Sequence, residues 1–245
     1  MAQEVFKRTE KKYLLDRETY EELVKRLAYY MDKDKYFGSE IMSIYFDTPD
    51  YRLIRTSIEK PVFKEKIRLR SYGVPSSEDE VFLEIKRKFK GVVYKRRSEM
   101  PLNEAVSFTR GAQIQPHNQQ IENEIKWAFN YYNSLSPKMM ISYHRHAYVG
   151  KDNKNLRITF DDRILYRDYD LNLSNGIYGE ELLKDGQRLM EIKIPDAMPL
   201  WLSDILDELE IFSTSFSKYG TAYQTLLKNN ALGKHRGSAT MPRAI

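Results

Sequence analysis

The sequence predicts an α+β domain, an eight-stranded antiparallel barrel closed on itself with helices on its flanks. Three observations lead there. Charge recurs on every second residue in Lys66-Ile67-Arg68-Leu69-Arg70, Glu84-Ile85-Lys86-Arg87-Lys88 and Glu191-Ile192-Lys193, the period of a strand with two unlike faces. The strand-like segments are mostly joined by short turns, without βαβ alternation, so they pair as hairpins. Aromatics are abundant, with 18 Tyr and 11 Phe, as strand-rich chains prefer. Closure removes exposed sheet edges, and about eight strands enclose a lumen that side chains fill or that holds one ligand.

The elements follow in order. Phe6 to Leu15 reads as a strand with Arg8, Glu10 and Lys12 on one face. Asp16 is placed to cap a helix over Arg17 to Tyr29, with Tyr20, Leu23, Val24 and Leu27 as its apolar stripe. Ile41 to Asp47 is a second strand, ended by Thr48-Pro49-Asp50. Strands over Lys64 to Tyr72 and Val81 to Lys88 flank a polar turn, and Lys90-Gly91 turns the chain into Val92 to Glu99. Residues 101–136 change character and read as a helical insertion, with a helix over Ile121 to Tyr132. Met139 to Val149 and Leu156 to Leu165 form a further hairpin around Asp152-Asn153, and Arg188 to Ile194 is the last strand. Helices are expected over Pro199 to Leu209 and Lys218 to Leu227. Residues 1–230 thus form one domain, and the polar tail from 231 is expected to be disordered.

At 245 residues the chain suits one large domain or two small ones. Hydrophobic content of 41% and charged content of 31% fit a globular protein. The net charge of +5 is modest, so the placement of the charge is more informative than its sum, and no nucleic-acid partner is expected. Cysteine is absent, which rules out disulfides and thiolate metal sites. No apolar run approaches the roughly 18 residues of a membrane span, and Met1 to Arg8 has no signal-peptide core. A cytoplasmic location is expected.

The charged rows carry the chemistry. Lys66, Arg68 and Arg70 share one face, as do Glu84, Lys86 and Lys88, and Glu191 with Lys193. Turned inward, these rows make a cationic lumen with a few carboxylates, suited to a long polyanion and a divalent metal. Arg forks grip phosphate oxygens bidentately, and Lys adds point charges. Glu10, Glu84 and Glu191 supply the oxygen donors that Mg²⁺ or Mn²⁺ prefer. Lys95 shares a face with Arg97, and Arg157 shares one with Asp161. His144 and His146 also share a strand face, but the sequence shows no third ligand for zinc; Arg145 on the opposite face is the stronger candidate. Lys218, at a helix start outside the strand set, is expected near one mouth of the lumen. No P-loop, dinucleotide fingerprint, kinase signature or nucleophile elbow is present, so phosphates must be held by side chains.

Taken together, these segments resemble the VTC domain, the polyphosphate polymerase branch of the triphosphate tunnel metalloenzymes. The resemblance is carried by Arg8-Thr9-Glu10-Lys11-Lys12-Tyr13, Ser43-Ile44-Tyr45-Phe46-Asp47-Thr48, Lys66 to Gly73, Glu84-Ile85-Lys86, Gly91 to Arg97, Tyr143-His144-Arg145, Arg157 to Asp161, Met190 to Lys193 and Ser215 to Tyr219. It implies an eight-stranded tunnel that makes polyphosphate from ATP with Mn²⁺ or Mg²⁺. It also implies Lys12, Arg68, Arg70, Lys86, Lys95, Arg145, Arg157 and Lys218 as phosphate ligands, and Glu191 as the metal ligand. Lys66 and Lys193 join them as substrate or product contacts. Eukaryotic relatives carry a second Lys three residues before the one matching Lys218; here that position is Ser215. The chain also lacks their SPX-type sensor and membrane segments, so the resemblance implies a stand-alone bacterial form. The rival readings are a tripolyphosphatase or nucleoside triphosphatase on the same fold, and a non-catalytic binder of polyphosphate or RNA.

Overall fold

The computed structural model describes residues 9–90, 92–194 and 197–232. Arg8, Gly91 and the tail from Gly233 lie outside the described residues.

The chain begins with β1 (Thr9–Leu15) and α1 (Arg17–Tyr30). Asp16 caps α1 as its sequence position suggests, accepting the Thr19 backbone N–H at 2.8 Å. A short β2 (Met31–Lys33) precedes β3 (Ser39–Asp47) and α2 (Arg52–Ile58). The first cap residue of α2, Tyr51, sits in the left-handed region at φ 58° and provides no side-chain cap. Asp47 takes over that role from the end of β3. Its carboxylate accepts the Leu53 N–H at 2.8 Å and the Ile54 N–H at 3.0 Å, satisfying helix-end donors that would otherwise be orphaned.

Three long strands follow, β4 (Phe63–Tyr72), β5 (Glu80–Phe89) and β6 (Val92–Pro101). The insertion contains two helices, α3 (Leu102–Thr109) and α4 (Gln119–Tyr132). The strands resume with β7 (Ser136–Gly150), β8 (Arg157–Arg167), a two-residue β9 (Glu180–Glu181) and β10 (Arg188–Ile194). The described chain ends with α5 (Leu200–Glu208) and α6 (Lys218–Ala231).

The strands form one antiparallel sheet in the order β1-β10-β8-β7-β3-β4-β5-β6, with β2 added to β7 and β9 to β8. Alternation gives this sheet an apolar convex face and a charged concave one. On the convex side α1 and α5 bury Leu23, Leu27, Leu202 and Ile205 against Phe160 and Ile192. Further along, α3 and α4 bury Ala105, Ile125 and Ala128 against Ile67, Leu83 and Ile85. Into the concavity packs α6, whose Tyr219, Ala222 and Leu226 meet Ile41, Tyr45, Ile141 and Leu189.

The expected closed barrel is corrected here. Eight long strands are present among the described residues, and within these the end strands β1 and β6 are not paired with each other. The physical reason is visible at the free edge of β1. Thr214, in the segment leading to α6, donates its N–H to the Lys12 carbonyl at 2.7 Å, so that edge is taken by a local chain segment. The two ends of the sheet approach through side chains instead, with Lys86 Nζ 4.0 Å from Glu10 Oε2. No helix among the described residues is long and apolar enough to cross a membrane.

Candidate functional site

The concave face collects charge from seven strands and one helix. Cross-strand register explains how. Glu10 lies opposite Lys193, Lys12 opposite Glu191, and Arg145 opposite Asp161. Arg68 lies opposite Glu84, and Lys86 lies between Lys66 and Lys95. Residues paired across antiparallel strands point the same way, so every charged row faces the same concavity.

Two carboxylate centres organise these cations. Glu84, 2% exposed, accepts Arg68 Nε at 2.6 Å and lies 2.5 Å from Lys95 Nζ. Arg68 also donates to the Tyr45 hydroxyl at 3.1 Å, and Arg70 donates to Ser43 Oγ at 3.3 Å and the Tyr143 hydroxyl at 3.4 Å. The second centre is Asp161, fully buried, which takes Arg145 bidentately at 2.6 and 2.7 Å and Lys218 at 2.5 Å. Glu191 stands beside it. Four cations surround its oxygens, Lys12 at 3.3 Å, Lys218 and Arg145 at 3.7 Å and Lys193 at 3.8 Å.

Lys218 is therefore not at a mouth. It is buried at the first turn of α6, which reaches the concavity because Ser217 caps the helix there. Ser217 Oγ accepts the Gly220 N–H at 3.2 Å and a proton from Lys66 Nζ at 3.0 Å. A Cβ on Gly220 would lie 3.2 Å from Ser217 Cβ, so the close cap favours glycine. Lys66, Arg68, Arg70, Lys86, Lys95, Lys12, Lys193 and Arg145 share the concave face, as their alternation implies. Arg157 is on that face too, but at its rim. It is half-exposed and lies 3.8 Å from Asp34 Oδ2.

Burial is the largest single influence on each of these groups; it sets the direction for three lysines, and the surrounding charges together outweigh it for Tyr45, Glu191 and Lys218. Burial pushes Lys66, Lys95 and Lys193 down to about 8, partly opposed by Tyr45, Glu84 and Glu191 respectively. Burial pushes the Tyr45 phenol up, but Arg68, Arg70 and Lys66 outweigh it and bring it to about 8. Burial also disfavours the Glu191 carboxylate, yet Lys218, Lys12, Arg145 and Lys193 hold it well below the usual range. Lys218 moves up, because Asp161 and Glu191 outweigh its burial.

The lysine shifts give a pH test. An anion that pairs with these ammonium groups raises their pKa, so binding takes up protons and affinity declines as pH rises past about 8. Ionisation of Tyr45 in the same window adds a negative charge and acts in the same direction. Calorimetric titration with a linear triphosphate, repeated from roughly pH 7 to pH 9, is expected to show this decline with proton uptake. A flat affinity without proton uptake would contradict the lysine assignments.

The carboxylates differ in their fitness for a metal. Glu84 gives its oxygens to Arg68 and Lys95. Among the described residues no cation lies closer to Glu191 than 3.3 Å, longer than the roughly 2.7–2.9 Å of a charge-assisted hydrogen bond. Glu191 therefore retains lone pairs for a hard cation such as Mg²⁺ or Mn²⁺. Glu10 is more exposed, 3.7 Å from Lys12, and faces the same space. Residues that sequence reasoning left off the candidate set are Asp161, Tyr45 and Tyr143. Alternation with Arg157, Ser43 and Arg145 was the signal that places them on this face.

Among solved structures, a Bacillus halodurans protein described as a "putative adenylate cyclase" superposes with a TM-score of 0.54 at 14% identity, covering 88% of this chain and 96% of its own. A Vibrio parahaemolyticus protein of the same description gives a TM-score of 0.46 at 13% identity, covering 92% and 99%. A Pyrococcus horikoshii OT3 protein also gives 0.46, at 14% identity, covering 91% and 99%. The fold likeness rests on the first of these. No curated protein matches the chain. The VTC domain model matches residues 7–227, spanning every described strand and the part of α6 that carries Lys218, and the chain belongs to the VTC domain family.

Proposed function

We propose that the concave face is an ATP–polyphosphate phosphotransferase centre, which passes the γ-phosphate of ATP to the end of a growing polyphosphate chain with Mn²⁺ or Mg²⁺ as cofactor. The observation that carries this reading is the surplus of inward cations over Glu10, Glu84, Asp161 and Glu191. Such a surplus is costly in an empty site and is offset by a polyanion.

Arg68 and Arg70 hold the nucleotide's phosphate oxygens. Glu84 is a positioning residue, since its bonds to Arg68 and Lys95 fix where those donors point. Lys12, Lys66, Lys86 and Lys193 complete the cradle, and Arg157 meets the chain at the rim. Arg145 is oriented by its two bonds to Asp161 and presents its remaining N–H donors to the phosphates. A terminal oxygen of the chain attacks the γ-phosphorus, the bond from that phosphorus to the β–γ bridging oxygen breaks, and ADP leaves with the electron pair. This nucleophile is already anionic, so no strong general base is required. Phosphoryl transfer then depends on alignment and charge neutralisation. A divalent ion held by Glu191, with Glu10 nearby, would supply neutralisation of the phosphate oxygens.

Two variants test the roles. Arg70→Ala removes a charged phosphate contact and is expected to weaken transfer by about 1.5–3 kcal/mol. Lys218→Ala is expected to lower polymer formation and ATP hydrolysis together, because Lys218 sits against Asp161 and Glu191 in the interior. Loss of polymer alone in Lys218→Ala would instead indicate a product-path role. The reading itself is tested by incubating the protein with ATP and Mn²⁺ and separating the products. Polymer supports the proposal. Free phosphate alone moves the assignment to a triphosphatase, and neither product, with tight polyphosphate binding, moves it to a binding module.

A further inference from the structure

The convex face carries a second group of ligating side chains, directly behind the first site. His144 and His146 of β7 and Asp162 of β8 bring one ligand atom each within 4.8 Å of one another. His144 Nδ1 is already 3.5 Å from Asp162 Oδ1. Around a tetrahedral ion with bonds of about 2.1 Å, ligand atoms stand roughly 3.4 Å apart. One pair thus has that spacing, and the other two separations do not exceed 4.8 Å.

Two further observations point to a ligand. Asp162 is 5% exposed, yet its Oδ1 has no hydrogen-bond partner, and His146 Nδ1 is likewise buried without one. Buried polar atoms are ordinarily satisfied, and orphans on two members of one cluster indicate a missing partner. The neighbouring charges are Arg188, whose Nε lies 3.0 Å from Asp162 Oδ2, and Arg163, whose Nε lies 3.7 Å from Oδ1. Arg188 lies against the far oxygen as a charge contact, its Nε lacking a hydrogen-bond partner, and Oδ1 is left between His144 Nδ1 and Arg163. Both Arg groups also oppose a cation, so the site must rely on its two imidazoles for affinity.

We propose that His144, His146 and Asp162 bind Zn²⁺ or a similar borderline divalent ion, distinct from any hard cation at Glu191. Two imidazoles and one carboxylate select such an ion over Mg²⁺, and the half-buried histidines leave a coordination position for water. The location gives the site a purpose. The register of β7 and β8 shifts between Ser142 and His144, and Arg163 beside Asp162 has φ 45°, both marks of a local bulge. In sequence, the three ligands alternate with Arg145 and Asp161. An ion on the convex face therefore clips together the two strands that carry the Arg145–Asp161 pair on the concave face.

The test uses protein stripped by chelator and dialysed, titrated with Zn²⁺ against a chromophoric chelator. Wild type, H144Q, H144Q/H146Q and E191Q are compared, each checked for folding by circular dichroism. Wild type and E191Q are expected to bind one equivalent that the double variant lacks. Saturating Zn²⁺ is expected to raise the melting temperature of wild type and E191Q by about 5–10 °C, with no such shift from Mg²⁺ at the same concentration. The single variant H144Q, changed at a partly exposed position, decides the matter if the double variant does not fold. Equal Zn²⁺ binding by wild type and the histidine variants, or a loss confined to E191Q, overturns the proposal.

Discussion

Replacing Glu191 by glutamine is expected to lower turnover by about 100-fold or more while leaving metal-free affinity for a linear triphosphate unchanged or improved. The two halves of this expectation separate a metal-holding role from a structural one. Glu191 is buried among four cations. Its neutral isostere keeps the shape of the site, makes it more positive and removes the charged oxygen donor. A polyanion should tolerate that change, whereas a bound Mn²⁺ or Mg²⁺ should not. Turnover near the wild-type rate with Mn²⁺ would refute the assignment.

The largest effect on stability is expected at Asp161. Asp161→Asn removes the partner of Arg145 and Lys218 in the interior. Breaking a buried ion pair by neutralising one side costs about 3–5 kcal/mol, because the other charges stay buried. That is a large part of the roughly 5–15 kcal/mol by which domains are stable. The pH dependence has a definite sign. Burial disfavours the Asp161 carboxylate, but Arg145 and Lys218 outweigh burial and lower its pKa below the ordinary 3.8. Its contribution is therefore complete above that value and lost as pH falls through the folded-state pKa. Denaturant titration near neutral pH measures the loss, and a change below about 1 kcal/mol would mean that Arg145 and Lys218 are compensated by other partners.

How much of this was legible in the sequence depends on the range of the interaction. Strand alternation is local, so the charged rows and their common face could be read directly. Arg188 to Ile194 is a case in point, and the cap at Asp16 is equally local. Closure was not legible, because the edge of β1 is met by Thr214, about 200 residues along the chain, whose backbone bond carries no side-chain signal. The α2 helix was hidden for a related reason. Its end donors are satisfied by Asp47, which reads as the last residue of a strand. Lys218 looked peripheral because it opens a helix after the last strand, and only the packing of α6 into the concavity brings it to Asp161. His144 and His146 were visible as a pair, but Asp162 joins them through the register of β7 and β8.

A concave face that moves the γ-phosphate of ATP onto a phosphate chain, as proposed, must transfer that phosphate and no other part of the nucleotide. The most direct measurement is label transfer in parallel reactions with ATP labelled at the γ or the α position, in the presence of Mn²⁺. γ-Label is expected in a polymer ladder with one ADP released for each phosphate added, and no α-label in polymer. Recovery of all γ-label as orthophosphate, or its retention in ATP while the protein binds polyphosphate, would contradict the proposal.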